Sequence, residues 1–95
     1  MDIQNETTMA SYEIRAEICN YKMVVGAKQL RKALSCGKAR RVYLAVNADP
    51  AITEPIMALC RENGVSYAWV KSMKDLGEAA GIEVGAAAAA AVEKV

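Results

Sequence analysis

Residues 42–46 (VYLAV) form an uninterrupted apolar run that is rich in strand-forming side chains. A strand with one solvent-exposed face alternates apolar and polar residues, whereas a strand covered on both faces is apolar throughout. The run therefore predicts an interior strand of a sheet with helices on both of its faces. Residues 65–70 (VSYAWV) predict the strand that follows it along the chain.

The segment before this interior strand predicts a helix and a short strand. Ile14, Ile18 and Tyr21 recur at helical spacing behind Ser11, which is a favourable N-cap residue. The apolar step at residues 23–25 then predicts the short strand.

A second helix is predicted to follow a turn at Gly26 and to run from Lys28 to Cys36. Gly37 predicts its end, because glycine tolerates the left-handed conformation in which helices commonly terminate. Apolar residues share one face of this helix and cations share another. The apolar face carries Leu30, Ala33 and Leu34, and the cationic face carries Lys28, Arg31 and Lys32.

Two further helices are predicted after a turn at Asp49-Pro50. The first ends at Gly64, and it accommodates Pro55 only in its first turn because proline lacks a backbone N–H. The second begins at a capping pattern, Ser72-x-x-Asp75, and ends at Gly81. The predicted buried positions are Ile52, Ile56, Leu59 and Cys60 in the first helix and Leu76, Ala79 and Ala80 in the second.

The alanine run near the C-terminus, Ala86 to Ala91, fits two different structures. Alanine is the strongest intrinsic helix former, which favours a helix. The alternation of helices and strands favours a strand instead, because a sheet enclosed by helices leaves room only for small side chains. The pattern alone leaves both open. The alternating elements nevertheless predict a single α/β domain over residues 11–95.

Residues 1–10 (MDIQNETTMA) lack periodicity, and we expect a flexible N-terminal leader. They also lack the regions of a signal peptide, and no apolar run approaches the ~20 residues of a membrane helix. The three cysteines are widely spaced and predict neither a disulfide framework nor a zinc site. These features predict a cytoplasmic protein with no membrane partner, in which Cys19 and Cys60 are small core residues.

The composition excludes several classes of enzyme. The chain has no histidine, so an imidazole base, a histidine-containing triad and a histidine-ligated metal are all excluded. Its carboxylates are scattered, and none forms a pair suited to acid–base catalysis or metal binding. We therefore expect no enzymatic activity, no catalytic residues, no metal and no cofactor.

The formal net charge of +1 conceals an uneven distribution. Residues 1–17 contain four acids and one cation, and residues 49–95 contain seven acids and four cations, so each segment carries a net charge of −3. Residues 18–48 contain seven cations and no acid. A block of one sign attracts an anionic partner, but it can equally form a solvated surface, and the charge pattern alone leaves both interpretations open.

Residues 26–33 (GAKQLRKA) resemble the G-x-N-E-x-x-K signature of the kink-turn-binding ribosomal proteins of the L7Ae and L30e type. The resemblance is strongest to short bacterial members, in which Lys-Gln replaces Asn-Glu. Three further stretches agree in order and spacing, and the resemblance extends from about Ser11 to Val92. They are Ala48-Asp49-Pro50, Leu59-Cys60 with Val65-Ser66-Tyr67, and the segment from Ser72 through Leu76, Gly77, Ala79 and Gly81 to Val84.

The resemblance implies a three-layer α/β/α sandwich with a mixed four-stranded sheet, in which the alanine run is the last strand. It also implies a non-catalytic, RNA-binding function. Members of this family recognise the kink-turn, a helix–bulge–helix RNA that bends sharply and contains tandem sheared G·A pairs. The implied partners are kink-turn, ribosomal or riboswitch RNA and the ribosome, and we expect a monomer when the protein is free.

The resemblance also assigns roles to individual residues. Gly26 would let the backbone approach RNA, Lys28 and Gln29 would face the G·A pairs, and Lys32 would bind phosphate. The position of Arg31 on the cationic helix face independently predicts that it neutralises the phosphate backbone, as Lys32 and Lys38 would. A loop would close over the extruded bulge nucleotide, with an acidic residue contacting the same region. These residues are Ile82, Glu83 and Val84 in the loop and the acidic Asp49. Cys36 and Met73 depart from the family pattern, since some relatives carry arginine and lysine there.

An alternative function is a protein–protein interaction module that uses the same fold without binding RNA. Relatives of that kind tend to be acidic and to lack the basic helix face. Because Lys28, Arg31 and Lys32 are present, the sequence favours RNA over a protein partner.

Overall fold

The computed structural model describes residues 8–9, 11–18 and 20–94, and within them the chain forms four helices and five strands that alternate almost regularly. In chain order the elements are β1 (Thr8–Met9), α1 (Ser11–Ile18), β2 (Tyr21–Val25), α2 (Ala27–Ser35), β3 (Arg41–Ala45), α3 (Pro50–Asn63), β4 (Ser66–Val70), α4 (Met73–Ala80) and β5 (Ala88–Lys94).

The described strands form one mixed sheet in the order β1-β4-β3-β5-β2. β1, β4 and β3 run parallel, whereas β5 is antiparallel to both of its neighbours. Strands β2 to β5 confirm the predicted mixed four-stranded sheet. The sequence did not predict β1, in which Thr8 and Met9 extend the sheet beside Trp69 and Val70. The rest of the expected leader, residues 1–7 and 10, lies outside the described residues.

Side chains on the two faces of the sheet belong to separate hydrophobic clusters, which confirms the three-layer α/β/α sandwich. Val42 and Leu44 of β3 pack towards α2 and α3, whereas Tyr43 and Ala45 pack towards α1 and α4. This alternation follows from the two-residue repeat of a strand. The helical contributions are Leu30, Leu34, Ile56 and Cys60 on the first face and Ile14, Ile18 and Leu76 on the second.

The alanine run confirms the implied last strand, because β5 occupies the position between β2 and β3. Ala88, Ala89 and Ala90 are fully buried, and they face alternate helical layers. β5 pairs with β2 and β3 on its two edges and lies between the two helical layers, so both its backbone hydrogen bonds and its burial come from distant segments. Tertiary packing therefore overrides the helical preference of alanine.

Helix ends agree with the predicted signals. Gly37, Gly64 and Gly81 all have the left-handed conformation, and the Ser72 hydroxyl accepts a hydrogen bond from the Asp75 N–H. The Lys38 N–H also donates to the carbonyl of Ala33, which completes a Schellman-type end for α2.

Four sequence expectations require correction. Helical spacing predicts Tyr21 in the first helix, but Tyr21 begins β2 because it pairs with β5. Val46 is exposed beyond the end of β3. Pro55 lies inside α3 rather than in its first turn, because Asp49 caps the helix and Pro50 begins it. Ile52 was expected in the buried stripe but is 38% exposed.

The buried stripe of α3 is formed by Thr53, Ile56 and Cys60, with Leu59 half-buried beside it. Cys60 is thus a core residue as predicted, whereas Cys19 lies outside the described residues. None of the helices that the structure describes combines the length and the apolar character needed to cross a membrane.

Candidate functional site

Three loops and the beginning of α2 meet at one end of the sheet. The strand register pairs Val25 with Ala89, Leu44 with Ala88 and Ala45 with Val70. The carboxyl ends of β2, β3 and β4 therefore lie beside the start of the antiparallel β5. The segments at this end are Gly26 with the first turn of α2, residues 46–49, residues 71–72 and the loop that returns from the end of α4 to the start of β5, residues 82–87. Together they contain seven of the nine predicted site residues.

Gly26 provides an open stretch of backbone at this end. Its φ of 105° and ψ of 138° are accessible to glycine but strained for other residues. Its N–H donates to the Ala88 carbonyl, and its carbonyl accepts from Leu30 as the α2 ladder begins. Among the described residues other than Gly26 and its two chain neighbours, no heavy atom lies within 4 Å of where a Cβ would be. A ligand can therefore approach the backbone directly.

The outer face of α2 carries the predicted polar and cationic residues. Lys28, Gln29, Arg31 and Lys32 are all exposed, and the opposite face of the helix is buried in the core. The first turn contains no acid. A helix N-terminus carries a partial positive charge, so Lys28 adds to a positive potential that no carboxylate of that turn reduces.

The structure divides the basic segment of residues 18–48 into paired and unpaired cations. Lys22 lies 3.6 Å from the carboxylate of Glu93, and Arg41 lies 3.7 Å from that of Glu17. Over the residues that the structure describes, no carboxylate lies within ion-pair distance of the three cations of α2. Among the described residues, five cations of this segment therefore lack such a partner: Lys28, Arg31 and Lys32 on the outer face of α2, and Lys38 and Arg40 after the helix.

Asp49 lies at the same end and has a structural role that the sequence did not predict. Its Oδ1 accepts a hydrogen bond from the Ala51 N–H at 2.9 Å, which caps α3. The side chain remains exposed. Any contact between Asp49 and a ligand is therefore made from the side-chain position that the helix cap fixes.

The loop between α4 and β5 presents its three predicted residues differently. Val84 is 70% exposed and Glu83 is exposed, whereas Ile82 packs partly against the core. Ile82 is therefore both a predicted site residue and a contributor to the packing of the core. The Ile82 N–H donates to the Gly77 carbonyl, which holds the loop against α4.

Exposed apolar side chains also lie at this end of the sheet, and they are not among the predicted site residues. The large apolar side chains exposed in the described residues all lie in these segments or in the adjoining first turns of α3 and α4. They are Val46, Ile52, Met73 and Val84. Met73 is one of the two departures from the family pattern. No local signal marked Val46 and Ile52, because both continue apolar patterns.

A shallow pocket of about 190 Å³ runs along α2 from its first turn to the residues that follow it. Its lining includes Gln29, Lys32, Cys36 and Lys38. Cys36 is exposed there, in line with its position at the end of the helix.

The sequence of this chain is similar to those of known proteins. A sequence model described as the ribosomal protein L7Ae/L30e/S12e/Gadd45 family matches residues 12–95. A protein named RNA-binding protein from Caldanaerobacter subterraneus subsp. tengcongensis is 44% identical over 77 residues, covering 81% of this chain and 94% of that protein. A protein of the same name from Bacillus pumilus is 47% identical over 68 residues, covering 72% of this chain and 83% of its own length.

Among solved structures, the 15.5 kD RNA-binding protein of Giardia lamblia is similar to this chain, with a TM-score of 0.72 and 26% sequence identity. The similarity covers 87% of this chain and 67% of that protein.

Proposed function

Because the chain belongs to the ribosomal protein L7Ae/L30e/S12e/Gadd45 family, we propose that it is a non-catalytic RNA-binding protein that recognises kink-turn RNA. The single observation that carries the proposal is the exposed face of α2. There, unpaired cations and Gln29 adjoin the open backbone of Gly26. The relatives that are named RNA-binding proteins support RNA as the partner.

The residues of α2 divide between phosphate and base contacts. Arg31 and Lys32 lie on the exposed side of the helix and neutralise the phosphate backbone, which is the sequence-independent part of RNA binding. Lys28 and Gln29 lie in the first turn, where they reach the sheared G·A pairs. An amide both donates to and accepts from base edges, so Gln29 supplies the discriminating contact.

The apolar end of the site receives the extruded bulge nucleotide. Val84 and the half-buried Ile82 offer an apolar surface to the unstacked base, and Glu83 and Asp49 offer carboxylate acceptors beside it. Val46 and Met73 enlarge the apolar surface at the same end. We place this activity in the cytoplasm, with ribosomal or riboswitch RNA as the target class and the free protein as a monomer.

A gel-shift titration tests the proposal. We compare a kink-turn RNA with a matched RNA in which Watson–Crick pairs replace the tandem G·A pairs. We expect tighter binding to the kink-turn, and we expect both affinities to fall as salt rises because phosphate contacts release counterions. Equal affinity for the two RNAs would contradict kink-turn recognition, and no binding to either RNA would favour the protein-interaction alternative.

A further inference from the structure

Asn47 connects two of the segments that form the site. Its Oδ1 accepts a hydrogen bond from the backbone N–H of Met73 at 2.8 Å, although the two residues are 26 positions apart. Met73 is the first residue of α4, and the first N–H groups of a helix have no acceptor within the helix. Ser72 caps the Asp75 N–H instead. Asn47 therefore supplies a second cap to α4 from the loop after β3.

Asn47 is itself held in place by its neighbours. The Val46 N–H donates to the Val70 carbonyl at 2.9 Å, and the Ala48 N–H donates to the Ala45 carbonyl at 3.2 Å. Ala48 is buried in the cluster beneath α1 and α4. The side chain of Asn47 thus projects from a fixed turn that also leads into the Asp49 cap of α3.

The N-terminal half of α4 in turn holds the loop that ends at Gly85. The Met73 carbonyl accepts from the Ala86 N–H at 2.9 Å, and Gly85 packs so closely on Met73 that a Cβ there would lie 3.2 Å from the Met73 Cβ. A Cβ on Gly77 would collide with the Val84 carbonyl oxygen. The loop cannot shift towards α4, so its position follows that of the helix.

We propose that Asn47 is a positioning residue for the loop of residues 82–85. By fixing the first residue of α4, Asn47 sets the loop relative to Asp49 and thereby strengthens the preference for a kink-turn whose bulge nucleotide is extruded. The inference rests on the proposed function. Asn47 acts through its side-chain acceptor on Met73 and does not need to contact RNA.

Two substitutions separate positioning from direct contact. Asn47→Ala removes the acceptor, whereas Asn47→Asp keeps an acceptor oxygen and loses the amide donor. Asn63→Ala is the matched control, since the Asn63 amide donates to the Leu59 carbonyl at the far end of α3. The RNA probes are a kink-turn RNA and the same RNA with an abasic site in place of the extruded nucleotide.

We expect Asn47→Ala to lower the ratio of the affinity for the kink-turn RNA to that for the abasic RNA about fivefold, the factor that corresponds to one net hydrogen bond. The affinity for the abasic RNA should not change. Asn47→Asp and Asn63→Ala should keep the wild-type ratio. An unchanged ratio in Asn47→Ala would overturn the proposal. An equal loss in Asn47→Asp would also overturn it, because it would indicate direct contact through the amide.

Hydrogen exchange gives a measurement that does not depend on RNA. In Asn47→Ala the Ala86 amide should exchange about fivefold faster, with wild-type rates in Asn47→Asp and Asn63→Ala. Unchanged exchange at Ala86 in Asn47→Ala would overturn the coupling even if the protein bound no RNA. If the wild-type protein showed no preference for the kink-turn, only the proposed function would be contradicted. The exchange rates would still decide whether Asn47 is coupled to Ala86.

Discussion

The hydroxyl of Tyr43 donates a hydrogen bond to Oε1 of Glu17 at 2.6 Å, and this bond joins the middle of β3 to α1. Tyr43 is almost completely buried, and the guanidinium of Arg41 lies 5.7 Å from the centre of its ring. Two effects raise the pKa of Tyr43 well above its usual range: burial, which is the larger, and the hydrogen bond to Glu17. The folded protein therefore keeps a proton that the unfolded chain loses in alkaline solution.

The raised pKa of Tyr43 predicts a loss of stability at high pH. Below about pH 10 both states keep the proton, and above it only the folded state does, so the free energy of unfolding falls by up to about 1.4 kcal/mol per pH unit. Tyr43→Phe removes this dependence and costs about 1 kcal/mol at neutral pH. Urea unfolding at pH 8 and pH 10.8 measures both effects, and equal pH dependence in wild type and variant would contradict the assignment.

Lys32 and Gln29 should affect RNA binding in different ways. Lys32→Ala should weaken binding to all RNAs similarly and reduce the slope of log affinity against log salt by about 1, because one phosphate contact is lost. Gln29→Ala should reduce the preference for the kink-turn by about 1 kcal/mol, as expected for one base contact. Titrations at several salt concentrations test both expectations.

Lys22→Ala is the matched control for that experiment. Lys22 pairs with Glu93 at the opposite end of β2, and its removal should leave the affinity for RNA nearly unchanged. A wild-type preference for the kink-turn in Gln29→Ala would show that the base contact has been assigned to the wrong residue.

Gly26 should be sensitive to substitution in both stability and binding. Gly26→Ala imposes an unfavourable backbone conformation at φ 105°, which costs about 1–3 kcal/mol of stability although the space for a Cβ is open. The added methyl group also stands where RNA approaches the backbone. Gly64→Ala, at φ 67° on the end of α3, should cost about 1–2 kcal/mol without affecting RNA binding. Equal RNA affinities of the two variants, measured when both are fully folded, would refute the role of Gly26.

Ala90 should not tolerate a larger side chain. Ala90→Leu adds volume between β5 and the layer of α2 and α3, and we expect a loss of about 1–3 kcal/mol in denaturant unfolding. Ala51→Leu, on the exposed surface of α3, should change stability by less than about 0.5 kcal/mol. A stable Ala90→Leu variant would mean that the sheet is less tightly enclosed than its burial indicates.

Local patterns predicted the elements of this fold but misplaced residues at their boundaries. Gly37, Gly64 and Ser72 mark helix ends through their own backbone and side-chain chemistry, so the sequence predicted these ends directly. Tyr21 and Ile52 fit a helical repeat, yet one belongs to a strand and the other is partly exposed. A helical repeat depends only on the spacing of residues along the chain. Whether Tyr21 pairs with β5, and which face of α3 is turned towards the core, depends on segments that are distant in sequence.

The candidate site could be predicted only in part from the sequence, again because local patterns do not report contacts between distant segments. The cationic face of α2 follows from helical spacing within nine residues, and the structure places it as expected. The convergence of Gly26 and Asp49 with the loop of Ile82 depends on strand order, and only the family resemblance indicated it. The bond between Asn47 and Met73 had no sequence signal, because an asparagine in a turn has many local partners.

The sequence by itself determined the alternation of helices and strands, the helix ends and the basic face of α2, because each depends on chemistry within a few residues. Tertiary structure alone decided that the alanine run is a strand, which cations remain unpaired and which loops share one end of the sheet. These properties depend on contacts between segments far apart in the chain. For Ala88–Ala91, enclosure between two strands and two helical layers outweighs a helix preference of less than ~1 kcal/mol per residue.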